Sequence, residues 1–273
     1  MRNRILLIAG GSIIALVLLT VIVRGGGKKA ETDSVANAAR TSPQELYSQA
    51  VTLKQSNHSD KAKELFQEII TNYPDYEGVE NVQKDLEDIN MKLISTGMKS
   101  PRVVIHKVEP GDSLVKIAKK YNTTIELIRK RNNLSSSTIR PGQQLSIYAG
   151  DFSVFVDKSQ NILILKDGHQ IVKVYHVSTG ANNSTPAGDF KITSKLVDPV
   201  WFKSGAIIPA ESPQNELGTR WLGFDIAGYG IHGTNQPDMI GKQATAGCVR
   251  MLNREVEELF DILPVGTKVT VAD

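Results

Sequence analysis

The sequence predicts a multidomain chain that ends in a mainly-β domain of β-sandwich type, and three observations carry that prediction. Residues 5–23 form a run of nineteen without a charge; apolar residues recur at helical spacing between positions 43 and 94; after Gly150 the pattern changes to short alternating or wholly apolar stretches separated by turn residues. At 273 residues the chain is long enough to close more than one core.

Nineteen uncharged, mostly apolar residues at the helical rise just cross the hydrocarbon of a bilayer, so residues 1–24 predict a transmembrane anchor. A cleaved signal peptide is the rival reading, but its apolar region is usually shorter and its small-residue cleavage site follows closely, whereas Arg24 to Lys29 intervene here. Arg2 and Arg4 on one flank balance Arg24, Lys28 and Lys29 on the other, so charge alone does not set the orientation. Residues 25–41, opening with Gly25-Gly26-Gly27, predict a flexible linker. The net charge of only +3 argues against a polyanionic partner, and no nucleic acid is expected. One cysteine excludes an internal disulfide and any multi-cysteine zinc site, and His58, His106, His169 and His176 show no ligand spacing; neither metal nor cofactor is expected.

Residues 42–97 predict three helices. Ser42-Pro43-Gln44-Glu45 is a capping box with proline in the first turn, so a helix should run over residues 43–55. A second is expected over 59–72, stopped by Pro74, and a third over 77–94. Ala62, Phe66 and Pro74, with Leu46, Ala50 and Leu53, resemble one tetratricopeptide (TPR-like) unit and imply a protein partner; a helical spacer whose apolar stripes bury one another explains them as readily. Ten acidic residues against five basic ones between Pro43 and Gly97 favour a basic or neutral partner.

Residues 103–148 read strand, helix, helix, strand, a βααβ unit with Pro110-Gly111-Asp112-Ser113 as turn and N-cap. Val108-Glu109-Pro110-Gly111-Asp112-Ser113-Leu114, Ile117-Ala118, Asn132-Asn133-Leu134 and Ile139-Arg140-Pro141-Gly142-Gln143-Gln144-Leu145 resemble a LysM domain over its whole length. The resemblance implies binding of glycan containing N-acetylglucosamine, with Gly111, Asp112, Ser113, Leu114, Leu134 and Ile139 as candidate contacts. Gly111 and Asp112 also suit the turn, and Leu114 suits a core.

Residues 152–273 begin with strands expected over 152–157, 162–166 and 170–178, which predict an antiparallel core; a long connection over 195–218 makes Trp201 and Phe202 candidates to line a cleft or lid. The informative pair is His232, in Gly230-Ile231-His232-Gly233-Thr234, and Cys248, in Thr245-Ala246-Gly247-Cys248-Val249-Arg250-Met251. An ordinary thiol is mostly protonated at neutral pH, so a fast nucleophile needs an imidazole within reach or a positive environment, which His232 and Arg250 are placed to provide. Gly247 allows close approach of an acyl group and of backbone N–H donors. Taken alone, a cysteine or a histidine is more often structural.

Thr179-Gly180, Thr185-Pro186-Ala187-Gly188, Ile231-His232-Gly233-Thr234, Gly247-Cys248-Val249-Arg250-Met251-Leu252-Asn253 and Leu263-Pro264-Val265-Gly266-Thr267-Lys268-Val269 resemble, in order, the YkuD-type L,D-transpeptidase catalytic domain. By position the resemblance implies Cys248 as nucleophile, His232 as general base and acid, and the Gly233 carbonyl as the group that orients the imidazole. Arg250, Gly247, Thr245 and Trp201 become candidate substrate contacts, with support of the cysteine loop an alternative role for Arg250. The family often has a second histidine where this chain has Ala246, so any contribution from that imidazole is absent. The implied reaction releases D-alanine from a peptidoglycan tetrapeptide stem through a Cys248 thioester, which an amine of a neighbouring stem resolves into a cross-link. Water as acceptor would make an L,D-carboxypeptidase; a non-catalytic wall-binding scaffold is the reading outside enzymology. The bulk of the chain is then expected outside the membrane, in the periplasm or cell wall.

Overall fold

A computed structural model describes residues 41–203 and 205–273. The expected anchor, and the expected linker up to residue 40, lie outside the described residues. No helix among the described residues is long and apolar enough to cross a membrane. The chain divides into two compact units, Met1–Asn90 and Met91–Asp273.

In the first unit α1 (Pro43–Gln55) opens with both arms of the capping box: the Glu45 amide donates to Ser42 Oγ at 3.2 Å, and the Ser42 amide donates to the Glu45 carboxylate at 3.1 Å. α2 (Ser59–Asn72) ends ahead of Pro74, and α3 (Val79–Ser95) begins two residues later than expected, because Glu77 and Gly78 belong to the preceding turn. Leu46, Ala50, Ala62, Phe66, Ile69, Val82, Leu86 and Ile89 are buried, each large side chain contributing about 1.5–3 kcal/mol. The Tyr47 hydroxyl and the Lys54 ammonium both donate to Asp85, at 2.9 and 2.7 Å, and tie α1 to α3.

The second unit starts with the last residues of α3 and then a small module: β1 (Val103–Lys107), α4 (Leu114–Lys120), α5 (Ile125–Arg131) and β2 (Gln144–Tyr148). β1 and β2 pair antiparallel from Val103↔Tyr148 to Lys107↔Gln144. Ser113 and Thr124 cap the two helices, and Val108, Leu114, Ile117, Ala118, Ile128, Leu145 and Ile147 form the interior. Arg131 is buried and donates to the carbonyls of Leu93, Ile94 and Met98, at 2.6, 2.6 and 3.0 Å, and to Ser146 Oγ at 3.1 Å. Two of those carbonyls are in the last turn of α3, where a cation also meets the negative end of the helix dipole.

The larger module holds β3 (Phe152–Asp157), β4 (Ile162–Asp167), β5 (Gln170–His176), β6 (Thr179–Gly180), β7 (Gly188–Val197), β8 (Trp201–Lys203), β9 (Ala206–Ile208), β10 (Arg220–Phe224), β11 (Gly230–His232), β12 (Gln243–Thr245), β13 (Val249–Arg250), α6 (Asn253–Ile262) and β14 (Lys268–Ala272). Eight strands form one sheet in the order β13-β11-β10-β7-β14-β3-β4-β5. The expectation of an antiparallel core needs correction, since β14 runs parallel to β3 and β11 parallel to β13. The physical reason is chain path: α6 carries the chain from β13 back to the middle of the sheet, a crossover that no hairpin could make. The two edges of the sheet meet, because Ser178, just past β5, exchanges backbone hydrogen bonds with Arg250 of β13 at 2.8 and 2.9 Å. The sheet therefore curls around one core, in which Leu163, Leu165 and Tyr175 from one end share a cluster with Ile231, Val249 and Met251 from the other and with Val256 and Leu259 of α6.

The small and large modules are joined through a packed seam. Leu127 of α5 is fully buried in the core of the large module, the Tyr148 hydroxyl donates to Asp167 at 2.9 Å, and Arg102 pairs with the same carboxylate at 3.4 Å. On α6, Asp261 takes the Thr124 hydroxyl on its carbonyl and the Lys130 ammonium on its carboxylate, the latter at 3.2 Å.

Candidate active site

β11 and β13 place the two candidate reactive residues. Their parallel register sets Ile231 beside Val249 and His232 beside Arg250. Strand alternation then puts Ile231 and Val249, both fully buried, on the core face, and His232 and Arg250 on the other. Cys248 precedes Val249 and shares the face of Arg250. Strand spacing and rise put its Cα roughly 8 Å from that of His232, a gap that an imidazole and a thiol on one face can close.

The imidazole is held on two sides. His232 Nδ1 donates to the Gly233 carbonyl at 2.7 Å, which leaves Nε2 as the basic nitrogen. The Trp221 ring stacks on it with centroids 5.9 Å apart and planes 18° from parallel, because Trp221 is its cross-strand partner on β10. Burial pushes His232 down to about 4, the Gly233 and Leu217 carbonyls pull the other way, and the Arg250 charge adds to the lowering. Cys248 is partly exposed, and its thiol donates to the Gly228 carbonyl at 3.4 Å. Burial raises its pKa against the opposing pull of the Gly230 backbone and the Arg250 charge. No hydrogen bond links Cys248 to His232 among the described residues. At rest both groups are neutral.

The cysteine loop is shaped by its neighbours. Gly247 adopts φ +136°, and a Cβ there would lie 2.7 Å from the Tyr229 ring, so only glycine fits. Thr245 is buried with its hydroxyl used inside the loop: it donates to the Cys248 carbonyl at 2.6 Å and accepts from the Gly247 amide at 3.1 Å. Arg250, 3% exposed, has its guanidinium committed to Glu216 at 2.7 Å and Gln236 at 3.2 Å. Those bonds tie Arg250 to the segments that carry Glu216 and Gln236.

The Cys248 sulfur opens onto a cavity of about 290 Å³ lined by Leu196, Val200, Trp201, Phe202, Leu217 and Trp221, among others. Trp201 lines it as expected. Phe202 is 74% exposed on the β8–β9 hairpin. Asn215 fixes the root of that hairpin by donating to the Pro199 and Pro209 carbonyls at 2.9 and 3.1 Å.

Three residues given no role by sequence reasoning belong to this site. Trp221 offered no local signal; only strand pairing reveals its place. Glu216 lay unremarked in the long connection. Asn253 stood in the motif without a function: its Oδ1 accepts from the Thr234 amide at 2.9 Å and the Thr219 amide at 3.3 Å. The Thr234 N–H belongs to the same peptide group as the Gly233 carbonyl that holds His232. A Cβ at Gly218 or Gly233 would collide with Asn253 Oδ1, which explains both glycines.

Among the candidate glycan contacts, Gly111 at φ +87° makes the turn, Ser113 caps α4, and Asp112 accepts from the Glu109 amide and from His106 Nε2, both at 2.9 Å. Leu114, 2% exposed, is in the module's interior, while Leu134 and Ile139 are partly buried against it.

A curled sheet that sets a thiol at an apolar cleft and a buried imidazole on the same face, with a βααβ module attached, is the arrangement of an acyl-transfer enzyme of the L,D-transpeptidase class. The chain matches the L,D-transpeptidase catalytic domain (YkuD) over residues 151–271 and the LysM domain over residues 106–147. It is 43% identical over 130 residues to the putative L,D-transpeptidase YqjB of Bacillus subtilis, covering 45% of this chain and 73% of that protein. It is 30% identical over 177 residues to the putative L,D-transpeptidase YkuD of Bacillus licheniformis, covering 62% of this chain and 99% of that one. Among solved structures it is similar to an L,D-transpeptidase from Mycobacterium smegmatis, at 18% identity and TM-score 0.38, over 48% of this chain and 64% of that chain. The chain belongs to the YkuD-type L,D-transpeptidase family and carries a LysM domain ahead of the catalytic domain.

Proposed function

We propose that this L,D-transpeptidase works through Cys248 as nucleophile and His232 as general base and acid. The observation that supports the proposal is the parallel register of β11 and β13, which sets His232 beside Arg250 and so on the face that Cys248 shares, with Cys248 lining an apolar cavity and His232 Nδ1 committed to the Gly233 carbonyl so that Nε2 is the base. Nε2 takes the thiol proton as sulfur attacks the carbonyl of the third stem residue; the same proton goes to the departing D-alanine amine, leaving a thioester. The Cys248 amide makes no hydrogen bond among the described residues and is available to the oxyanion, whereas the Gly247 amide is engaged by Thr245. An amine of a second stem then displaces sulfur and forms the cross-link.

In this reading the LysM domain holds the glycan strand, residues 1–24 anchor the chain, and the catalytic domain faces the periplasm or cell wall. The helical segment is a spacer or a site for a protein partner. The test incubates the chain with disaccharide-tetrapeptide and follows products by mass spectrometry. Loss of D-alanine with dimer formation, abolished by Cys248→Ala, is expected; loss without dimer would mean carboxypeptidase activity, and no loss would overturn the assignment.

A further inference from the structure

The LysM and catalytic domains share more than a seam. Beside it lies a second cavity, of about 450 Å³, lined by Glu126, Arg129, Lys130, Asn133 and Leu134 of the LysM domain and by Asp261 from α6 of the catalytic domain. Leu134 is one of the residues that the LysM resemblance marks for glycan contact. Leu134 therefore shares one wall with Asp261 of the catalytic domain.

We propose that this cavity is a composite saccharide subsite, in which Asp261 of the catalytic domain helps to bind the glycan held by the LysM domain. The inference rests on the glycan-binding reading of that domain and deepens it. The lining decides the ligand class. Two carboxylates, Glu126 and Asp261, offset two cations, Arg129 and Lys130, so the wall has no excess charge with which to attract a polyanion. The cations are also engaged: Lys130 pairs with Asp261 at 3.2 Å, and Arg129 donates to the Ser135 carbonyl at 2.9 Å. The side chains of Glu126 and Asn133 make no hydrogen bond among the described residues and are exposed to accept and donate. A partly buried leucine beside an exposed carboxylate and an exposed amide suits a hexosamine, which offers an apolar ring face and a rim of hydroxyl and acetamido groups. The joint is firm enough to hold such a site in register, since Leu127 is buried in the catalytic core and the Thr124 hydroxyl is bonded to the Asp261 carbonyl.

The test titrates the full chain with a soluble tetramer of N-acetylglucosamine by calorimetry. Glu126→Ala and Asp261→Asn should each raise Kd by roughly three- to tenfold, the loss of one or two sugar hydrogen bonds, with the melting temperature within the error of the parent chain. Arg102→Met, which breaks the seam at Asp167 away from the cavity, should leave Kd unchanged. Unchanged Kd in Glu126→Ala and Asp261→Asn would overturn the composite site while the LysM reading stands. An equal loss in Arg102→Met would overturn it by tracing the effect to domain orientation. Failure of the parent chain to bind the tetramer would remove the LysM reading itself and this subsite with it.

Discussion

Asn253→Ala tests whether the imidazole is aimed through the backbone. In the parent chain Asn253 Oδ1 takes the Thr234 N–H at 2.9 Å and the Thr219 N–H at 3.3 Å, and the peptide that offers the Thr234 N–H presents its carbonyl to His232 Nδ1 at 2.7 Å. Truncation leaves two amide donors without their acceptor. The shorter bond should cost about 1–3 kcal/mol as an unmet donor, and the longer one about 0.5–1.5 kcal/mol, so a loss of about 2–4 kcal/mol is expected in denaturant unfolding. The freed 233–234 peptide should also let the imidazole turn, lowering kcat while KM, set by the cleft, stays within about twofold. Asn253→Asp keeps an oxygen acceptor and puts a negative charge in the first turn of α6, where the helix dipole favours it, so it should recover both stability and kcat. The measurements are urea unfolding and steady-state release of D-alanine for all three chains. Stability lost in Asn253→Ala with kcat untouched would refute the relay, as would an Asn253→Asp chain no better than the alanine variant.

Arg250→Met should lower stability by about 2–4 kcal/mol and leave KM nearly unchanged, because the guanidinium is spent on Glu216 and Gln236; the cost stays moderate since Glu216 keeps some access to water. A large rise in KM at unchanged melting temperature would instead make Arg250 a substrate contact. Arg131→Met strips donors from three carbonyls and Ser146 and should cost about 2–4 kcal/mol by calorimetric unfolding. A loss within about 0.5 kcal/mol would mean that relief of the buried charge compensates for those bonds.

Local rules made the helical elements and the first strands of the sheet legible, since each is set by short-range chemistry: the capping box at Ser42, the N-cap at Ser113, and the alternation from Phe152 onward. What the sequence did not disclose depends on partners distant along the chain. The parallel β14–β3 pairing needs residues 153 and 268 side by side, and no periodicity within either strand states that. The candidate reactive pair could be picked out because chemistry limits which residue types can do such work. Their supports were less so: Trp221 and Glu216 are ordinary types whose meaning comes from what lies opposite them. Arg250 shows the same limit, since one motif position is compatible with binding substrate or bracing the loop, and only its partners separate the two.

The neutrality of the resting pair leads to a prediction about pH. Even from the ordinary thiol value of about 8.5, moving the proton to an imidazole lowered to about 4 is uphill by more than four pKa units, about 6 kcal/mol before the attraction between the resulting charges is counted. At an effective dielectric of about 20 that attraction returns about 4 kcal/mol for charges 4 Å apart, so the ion pair is a minor species and proton transfer accompanies attack. A thiol kept protonated is also slow to oxidise. The base is useful wherever His232 is neutral, so the acid limb of kcat/KM should fall below pH 5, well under the ordinary histidine range. The same protonation sets a stability trend. Because the folded-state value is depressed below the unfolded one, the contribution is complete above about pH 6.5 and is lost as pH falls toward 4, by about 3 kcal/mol in all. Denaturant titrations at pH 7 and pH 4.5 should show the loss in the parent chain and a smaller one in His232→Gln. An acid limb centred near 6.5, with equal losses in both chains, would mean that His232 is solvated in the working enzyme and that burial does not tune it.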